Sequence, residues 1–414
     1  MTGVKCIGNY FKTTAAVLCG TILLSGCSLF ETKDVVTEYE TENYNQNIYQ
    51  ASLYAEDLCV TEGNVEMTGA PDASGLHAAA LFDVNGGEVD FAYQVFDKLY
   101  PASTTKIMTA LVALGEGNLD RIYTVKAEYA QVEGSSMYLH GGETLTLRDT
   151  LYGLMLESGN DAAVAIAGEC GGYGNFVQKM NDKAAELGLT DTHFDNPNGL
   201  PSDTHYTTAR DLAKITAAAL RDPVFRQIVS TGTYTVGERT LSNHNRLLSM
   251  YDGAIGVKTG YTRAAGRCLV SAAERNGRTL IAVTLNDPDD WNDHMAMLDA
   301  GFAQYEEVTL HEAGDEITTL RVFGGDVDSV PLVAQNTVTA YLLPGEREKI
   351  QTVRYGEKIC YAPVVRTANA GQIEYRIGDK ALARDALVYG GAALLPAEEK
   401  SLPERILDRI FGES

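Results

Sequence analysis

Apolar positions along this chain recur first with strand rhythm, then helical rhythm, then strand rhythm again. Ala78 to Val84 and Glu88 to Gln94 are strand-like runs on either side of Asn85-Gly86-Gly87, whose residue types accept the positive φ of a tight hairpin turn. Met108, Leu111 and Val112 then fall at helical spacing, and Gly115 closes that helix. Leu147, Leu151, Leu154 and Met155 share one face of a helix over Leu147 to Leu156. Glu157-Ser158-Gly159-Asn160 interrupts it, and an alanine-rich helix resumes over Asp161 to Gly168. Further helices are expected at Gly174–Leu187, Thr208–Ala219 and Pro223–Val229. Strands return at Ala254–Lys258, Cys268–Ala273 and Thr279–Leu285, the last two around Asn276-Gly277, and His294 to Phe302 reads as a closing helix.

Strands, then helices, then strands predict an α+β fold: an antiparallel sheet with helices and a helical insertion, not a parallel βαβ sheet. From about Tyr305 the texture changes. Short alternating runs at Ser329–Val333, Thr337–Leu343, Ile350–Tyr355, Gln372–Ile377 and Ala386–Tyr389 predict a small all-β domain, without internal repeats. The expected layout is a main α+β domain over 71–303, a β domain over 304–395, and a tail over 396–414 with a short amphipathic helix at Pro403 to Phe411.

The N-terminus reads as a targeting segment. Lys5 and Lys12 precede an uncharged, largely apolar run from Thr13 to Leu24, too short to span a bilayer comfortably. Leu24-Ser25-Gly26-Cys27 resembles a bacterial lipobox, which implies a signal peptide over 1–27, lipidation of Cys27, and anchoring to the extracytoplasmic face of the cell membrane. Residues 28–70, polar and acidic, read as a tether.

Composition narrows the partners. The net charge of −23 argues against nucleic acid, which needs clustered Lys and Arg. Cys59, Cys170, Cys268 and Cys360 are scattered without a CxxC pair and are expected as buried free thiols. His140, His193, His205 and His244 read as loop or turn residues, and no HExxH pattern or paired ligand spacing occurs, so neither a metal nor a cofactor is expected. The glycines around Gly168 to Gly174 follow a helix, which argues against a phosphate loop.

Three short motifs carry the chemistry: Ser103-x-x-Lys106, Ser158-Gly159-Asn160 and Lys258-Thr259-Gly260. Alone, each has a simpler structural meaning: a helix cap with a surface lysine, an interhelical turn, the end of a strand. Together and in this order they are the signature of penicillin-binding proteins and class A β-lactamases. Pro101 to Leu111, Ser135-Ser136-Met137-Tyr138-Leu139, Leu156 to Ala163, Thr192 to Leu200 and Gly256 to Val270 resemble the low-molecular-weight penicillin-binding proteins, which are serine-type D-alanyl-D-alanine carboxypeptidases.

The chemistry explains the residue types. A serine hydroxyl attacks a carbonyl only when a base takes its proton, and Lys106 is the motif amine at helical reach. It serves as a base only if burial and a neighbouring charge, for which Lys258 is placed, lower its pKa. Ser158 can relay a proton to the leaving nitrogen, Asn160 can bond the acyl-side amide, and Lys258 and Thr259 can meet the terminal carboxylate. Gly260 leaves room at the strand edge. The resemblance further implies an oxyanion hole from the backbone N–H groups of Ser103 and Tyr261, peptidoglycan stem peptides as substrates, and β-lactams as covalent ligands. It also implies the penicillin-binding, β-lactamase-like transpeptidase fold. Several relatives carry an arginine for the substrate carboxylate in the loop that is Asn286 to His294 here, where there is none; Arg263, Arg267 and His294 are the candidates to replace it.

Two other functions use the same motifs. A β-lactamase of class A needs a glutamate for its deacylating water, and Phe194 to Leu200 has none. A penicillin-binding sensor would acylate without turnover.

Overall fold

The computed structural model describes residues 61–396, apart from 62, 73, 74, 86, 88 and 379. Cys27, Cys59, Gly86 of the first turn and the expected Pro403–Phe411 helix lie outside the described residues. Strand β1 (Ala78–Asp83) is buried at every position and pairs antiparallel with β2 (Val89–Tyr93). The segment read as a tether touches the domain before residue 71: Val65 exchanges both backbone hydrogen bonds with Ala92 at 2.8 and 2.9 Å. Polarity alone had hidden this edge pairing, because backbone groups make it.

A single 3₁₀ turn, Ala102–Thr105, runs directly into α1 (Lys106–Gly115). A small hairpin of β3 (Ile122–Thr124) and β4 (Thr144–Thr146) leads to α2 (Leu147–Leu156). Thr146 and Asp149 form a reciprocal capping box that starts α2 where the apolar stripe predicts it. After the break come α3 (Asn160–Glu169), α4 (Tyr173–Glu186), α5 (Ala209–Leu220) and α6 (Pro223–Ser230). Thr208 caps α5, and Asp222 caps α6 with Pro223 at its first position, where a missing N–H costs nothing. A second small hairpin, β5 (Thr233–Val236) with β6 (Arg239–Ser242), and the short α7 (Leu247–Met250) follow.

Three long strands complete the main sheet: β7 (Ala254–Thr262), β8 (Gly266–Arg275) and β9 (Arg278–Leu285). The order is β2-β1-β9-β8-β7, antiparallel throughout, so β7 is an edge. Asn276 and Gly277 take φ of 52° and 76° in the β8–β9 turn, as the residue pair predicts. Adjacent residues of a strand point to opposite faces, and here they enter different cores. Phe82 and Val270 join Ile107, Leu151 and Phe225 under the helical insertion, while Leu81 and Leu269 join Leu280 and Leu298 under α8 (Asp290–Phe302). The sheet is therefore the middle layer, and its edge β7 faces the start of α1.

The β domain contains β10 (Glu306–His311), β11 (Glu316–Phe323), β12 (Ser329–Ala334), β13 (Val338–Leu342), β14 (Gln351–Tyr355), β15 (Ile359–Tyr361), β16 (Asn369–Ile377) and β17 (Lys380–Tyr389). Strands β10 and β13 form one pair, and the other six form a sheet around Leu320, Leu332, Ile373 and Leu387. Strands β10, β11 and β15 escape the sequence pattern because few of their positions are buried; in β11 only Leu320 and Val322 are. Arg278 of β9 ties this domain to the main sheet, donating to Asp83 Oδ2 (3.1 Å), Tyr341 O (2.9 Å) and Glu346 Oε2 (2.7 Å). Cys170, Cys268 and Cys360 are buried free thiols.

Candidate active site

Ser103 lies in the 3₁₀ turn, not in the α-helix that the sequence suggests, and Lys106 is the first residue of α1. In a 3₁₀ turn residues three apart eclipse, which brings the two side chains together. Lys106 Nζ reaches Ser103 Oγ at 3.0 Å, Asn160 Oδ1 at 2.8 Å and the Asn198 carbonyl at 2.6 Å. Lys106 is fully buried, and Ser103 makes no cap. The simple structural meaning of the first motif therefore does not hold.

An ammonium has three N–H donors, and three acceptors surround this one. A free amine has two donors and a lone pair. With Asn160 and the Asn198 carbonyl taking the two donors, the lone pair is left for the Ser103 hydroxyl proton. Burial, and then the Lys258 charge, hold Lys106 well below the ordinary lysine range, and the weaker pull of Asp161 upward does not cancel them. Burial also brings Lys258 down to about 7. Lys258 Nζ donates to the carbonyl of Thr259 at 2.9 Å.

The second motif is the break between α2 and α3. Ser158 has a φ of 58°, strained for a residue with a side chain, and Gly159 provides no side-chain cap for α3. Ser158 lines a cleft of about 310 Å³ with Ser103, His244, Thr259, Tyr261 and Arg267. Asn160 begins α3, with its backbone N–H on Ser135 O at 2.7 Å. Its side-chain orientation is fixed chemically: Lys106 can only donate to Oδ1, and Nδ2 donates to Glu133 O at 2.6 Å. Asn160 thus orients the lysine, a task its spacing did not reveal.

The family described as D-alanyl-D-alanine carboxypeptidase, Peptidase S11, matches residues 65–289. The chain belongs to this family. Residues 305–393 match the C-terminal domain of penicillin-binding protein 5. The chain is 36% identical over 286 residues to D-alanyl-D-alanine carboxypeptidase DacF of Bacillus subtilis, covering 65% of this chain and 73% of that protein. It is 34% identical over 322 residues to D-alanyl-D-alanine carboxypeptidase DacA of Haemophilus influenzae, covering 73% and 81%. Penicillin-binding protein 5 of H. influenzae is similar in structure, with a TM-score of 0.56, 29% identity, and coverage of 78% of this chain and 99% of that one. The Streptomyces K15 DD-transpeptidase gives 0.55 and 36%, covering 56% and 99%.

In this member of the carboxypeptidase family the turn that carries Ser103 is wedged between two glycines. A Cβ on Gly199, whose φ is +90°, would lie 1.8 Å from the Ala102 carbonyl oxygen. A Cβ on Gly260 of β7 would lie 3.0 Å from the Ser103 nitrogen. The room at Gly260 is thus taken up by the turn that carries Ser103. Ala102, just before it, has a φ of 48°.

Several supporting residues had no readable signal. Asp161, buried, accepts from Ser136 Oγ (2.6 Å), Met137 N (3.0 Å), Leu139 N (3.0 Å) and Ala162 N (2.9 Å), locking the 135–139 loop onto α3. Its place in the first turn of a helix was the only hint. His205 accepts from Asp195 N at Nδ1 (3.1 Å), so Nε2 carries the proton and donates to Thr105 Oγ1 (2.9 Å). Burial lowers its pKa to about 4, which keeps it neutral.

The three candidates for the carboxylate separate. His294 is fully buried, bonded to Ser271 Oγ (2.6 Å) and Thr284 Oγ1 (3.1 Å), and burial lowers its pKa to about 3, so it belongs to the core. Arg263 is exposed in the β7–β8 turn. Arg267 lies on the cleft wall.

Proposed function

We propose that this chain is a serine-type D-alanyl-D-alanine carboxypeptidase that removes the terminal D-alanine from peptidoglycan stem peptides through an acyl-enzyme on Ser103. The observation that carries the reading is a fully buried lysine amine 3.0 Å from the Ser103 hydroxyl, with its pKa held well down beside a second buried lysine.

Lys106, as the free amine, takes the hydroxyl proton as Ser103 Oγ bonds to the carbonyl carbon between the two D-alanines. The backbone N–H groups of Ser103 and Tyr261 receive the oxyanion; donors of this kind contribute about 3 kcal/mol each in comparable enzymes. The proton passes from Lys106 through Ser158 to the leaving nitrogen, the C–N bond breaks, and D-alanine departs. Water then attacks the ester, giving its proton to Lys106; the C–Oγ bond breaks as Lys106 passes that proton to Ser103 Oγ, and the trimmed peptide is released. Asn160 orients Lys106 and offers its second amide N–H to the acyl side of the substrate. Lys258 and Thr259 face the terminal carboxylate, and Gly260 and Tyr261 form the β7 edge along which the peptide lies.

β-Lactams acylate the same serine. Their leaving nitrogen stays tethered, so the adduct persists. The Phe194–Leu200 loop offers a carbonyl to Lys106, not a glutamate to a water, which favours a carboxypeptidase over a β-lactamase. Peptide mapping by mass spectrometry after penicillin treatment is expected to find one long-lived adduct on Ser103. An adduct that hydrolyses within seconds would instead make the protein a β-lactamase.

We further propose that Cys27 is lipidated and holds the enzyme on the outer face of the cell membrane, next to peptidoglycan. The Leu24-Ser25-Gly26-Cys27 sequence supports this. Among the described residues no helix is long and apolar enough to cross a membrane. Cys27→Ala is expected to move the protein from the membrane fraction to the medium or the aqueous fraction; unchanged partition would refute the anchor.

A further inference from the structure

The substrate of a carboxypeptidase ends in a free carboxylate, and the region around the site opposes it. The loop between β9 and α8 and the first turn of α8 together carry Asp287, Asp289, Asp290 and Asp293 and no arginine. A carboxylate placed beside that loop needs a cation with open donors. Lys258, buried and bonded to the Thr259 carbonyl, brings one such charge to the β7 edge, and a second cation with a free pair of donors completes the clamp.

We propose that Arg267 binds the carboxylate of the terminal D-alanine and that Asp290 positions it for this; the proposal rests on the carboxypeptidase reading above. Arg267 stands on β8 directly opposite Tyr261 of β7, and Leu269 stands opposite Thr259. Paired residues of antiparallel neighbours share a face, and so do residues two apart on one strand. Thr259, Tyr261 and Arg267 therefore project on the same side, and all three line the cleft that contains Ser103.

The guanidinium is held by one edge. Nε donates to Asp290 Oδ2 at 3.1 Å and Nη2 to Asp290 Oδ1 at 2.5 Å. Asp290 sits in the first turn of α8 with its side chain 4% exposed, whereas the Arg267 side chain is 42% exposed. The Trp291 ring lies 5.8 Å from the guanidinium carbon. Five N–H donors arranged as a fork leave the Nη1 and Nη2 edge for a second carboxylate, and Nη1 has no hydrogen-bond partner among the described residues. A pre-oriented fork loses little freedom on binding. Arg267 also borders a second cavity, of about 600 Å³, beyond the cleft. A cation at that boundary accepts a chain that ends one residue past the scissile bond, which is the specificity of an exopeptidase.

The test compares acylation of the full-length protein by a penicillin with a free carboxylate and by its methyl ester. The wild type is expected to react faster with the acid. Arg267→Gln should lower acylation by the acid roughly 10- to 100-fold, leave the ester within about 2-fold, and so collapse the acid-to-ester ratio. Arg267→Lys should recover part of the ratio, and Asp290→Asn should weaken binding of the acid without slowing the acylation step at saturation. An unchanged ratio in Arg267→Gln overturns the proposal, as does an equal loss with both compounds, which a purely structural arginine would give. If the folded wild type reacts with neither compound, the carboxypeptidase reading itself falls, a result distinct from the other two.

Discussion

In the proposed mechanism Lys106 acts only as a free amine, and Lys258 attracts a carboxylate only as a cation. Both are buried, so each is easier to deprotonate than an ordinary lysine, and their mutual repulsion pushes Lys106 further down. The signs are opposite in effect. Acylation should rise with pH as Lys106 loses its proton, then fall as pH passes about 7 and Lys258 loses its own. A bell-shaped pH profile of kcat/KM is therefore expected, with an alkaline limb that Lys258→Arg moves upward because a guanidinium stays charged. A profile whose alkaline limb is the same in that variant would contradict the assignment. At this scale the sequence was most legible where side-chain type and spacing carry the meaning, as in Ser103, Lys106 and Lys258. It was least legible where the backbone does: the Asn198 carbonyl on Lys106 could be any residue's carbonyl.

The turn that carries Ser103 owes its position to its neighbours. The loop ending at Leu200 reaches it only because Gly199 has no Cβ, and β7 packs closely on it at Gly260, where a Cβ would lie 3.0 Å from the Ser103 nitrogen. Gly199→Ala combines a positive φ with a contact of 1.8 Å and should cost roughly 2–4 kcal/mol of stability, read from urea unfolding. Displacing the Asn198 carbonyl from Lys106 should slow acylation as well. Wild-type stability and rate in that variant would show that the loop is not a support for the turn. Long helices and the central strands were readable because apolar periodicity and turn residues agreed, as at Leu147–Leu156 and Asn276-Gly277. The 3₁₀ turn at Ala102–Thr105, the β3–β4 and β5–β6 hairpins and β10, β11 and β15 were not, since each is short or largely exposed and its backbone pairing leaves little trace in residue type.

On the scale of the whole molecule, one antiparallel sheet separates two cores and presents its edge strand to the turn that carries Ser103, while Arg278 joins it to the β domain. The order of strands and helices was enough to read this layering. The join was not, because Arg278, Asp83 and Glu346 are far apart in sequence and only the fold brings their charges together. The proposed function rests on one act, the transfer of an acyl group to Ser103. It is tested most directly by the steady-state rate of D-alanine release from a stem pentapeptide. The wild type should release one D-alanine per peptide over many turnovers, and Ser103→Ala should release none above background. Release that persists in Ser103→Ala, or a folded wild type that releases no D-alanine, would contradict the account.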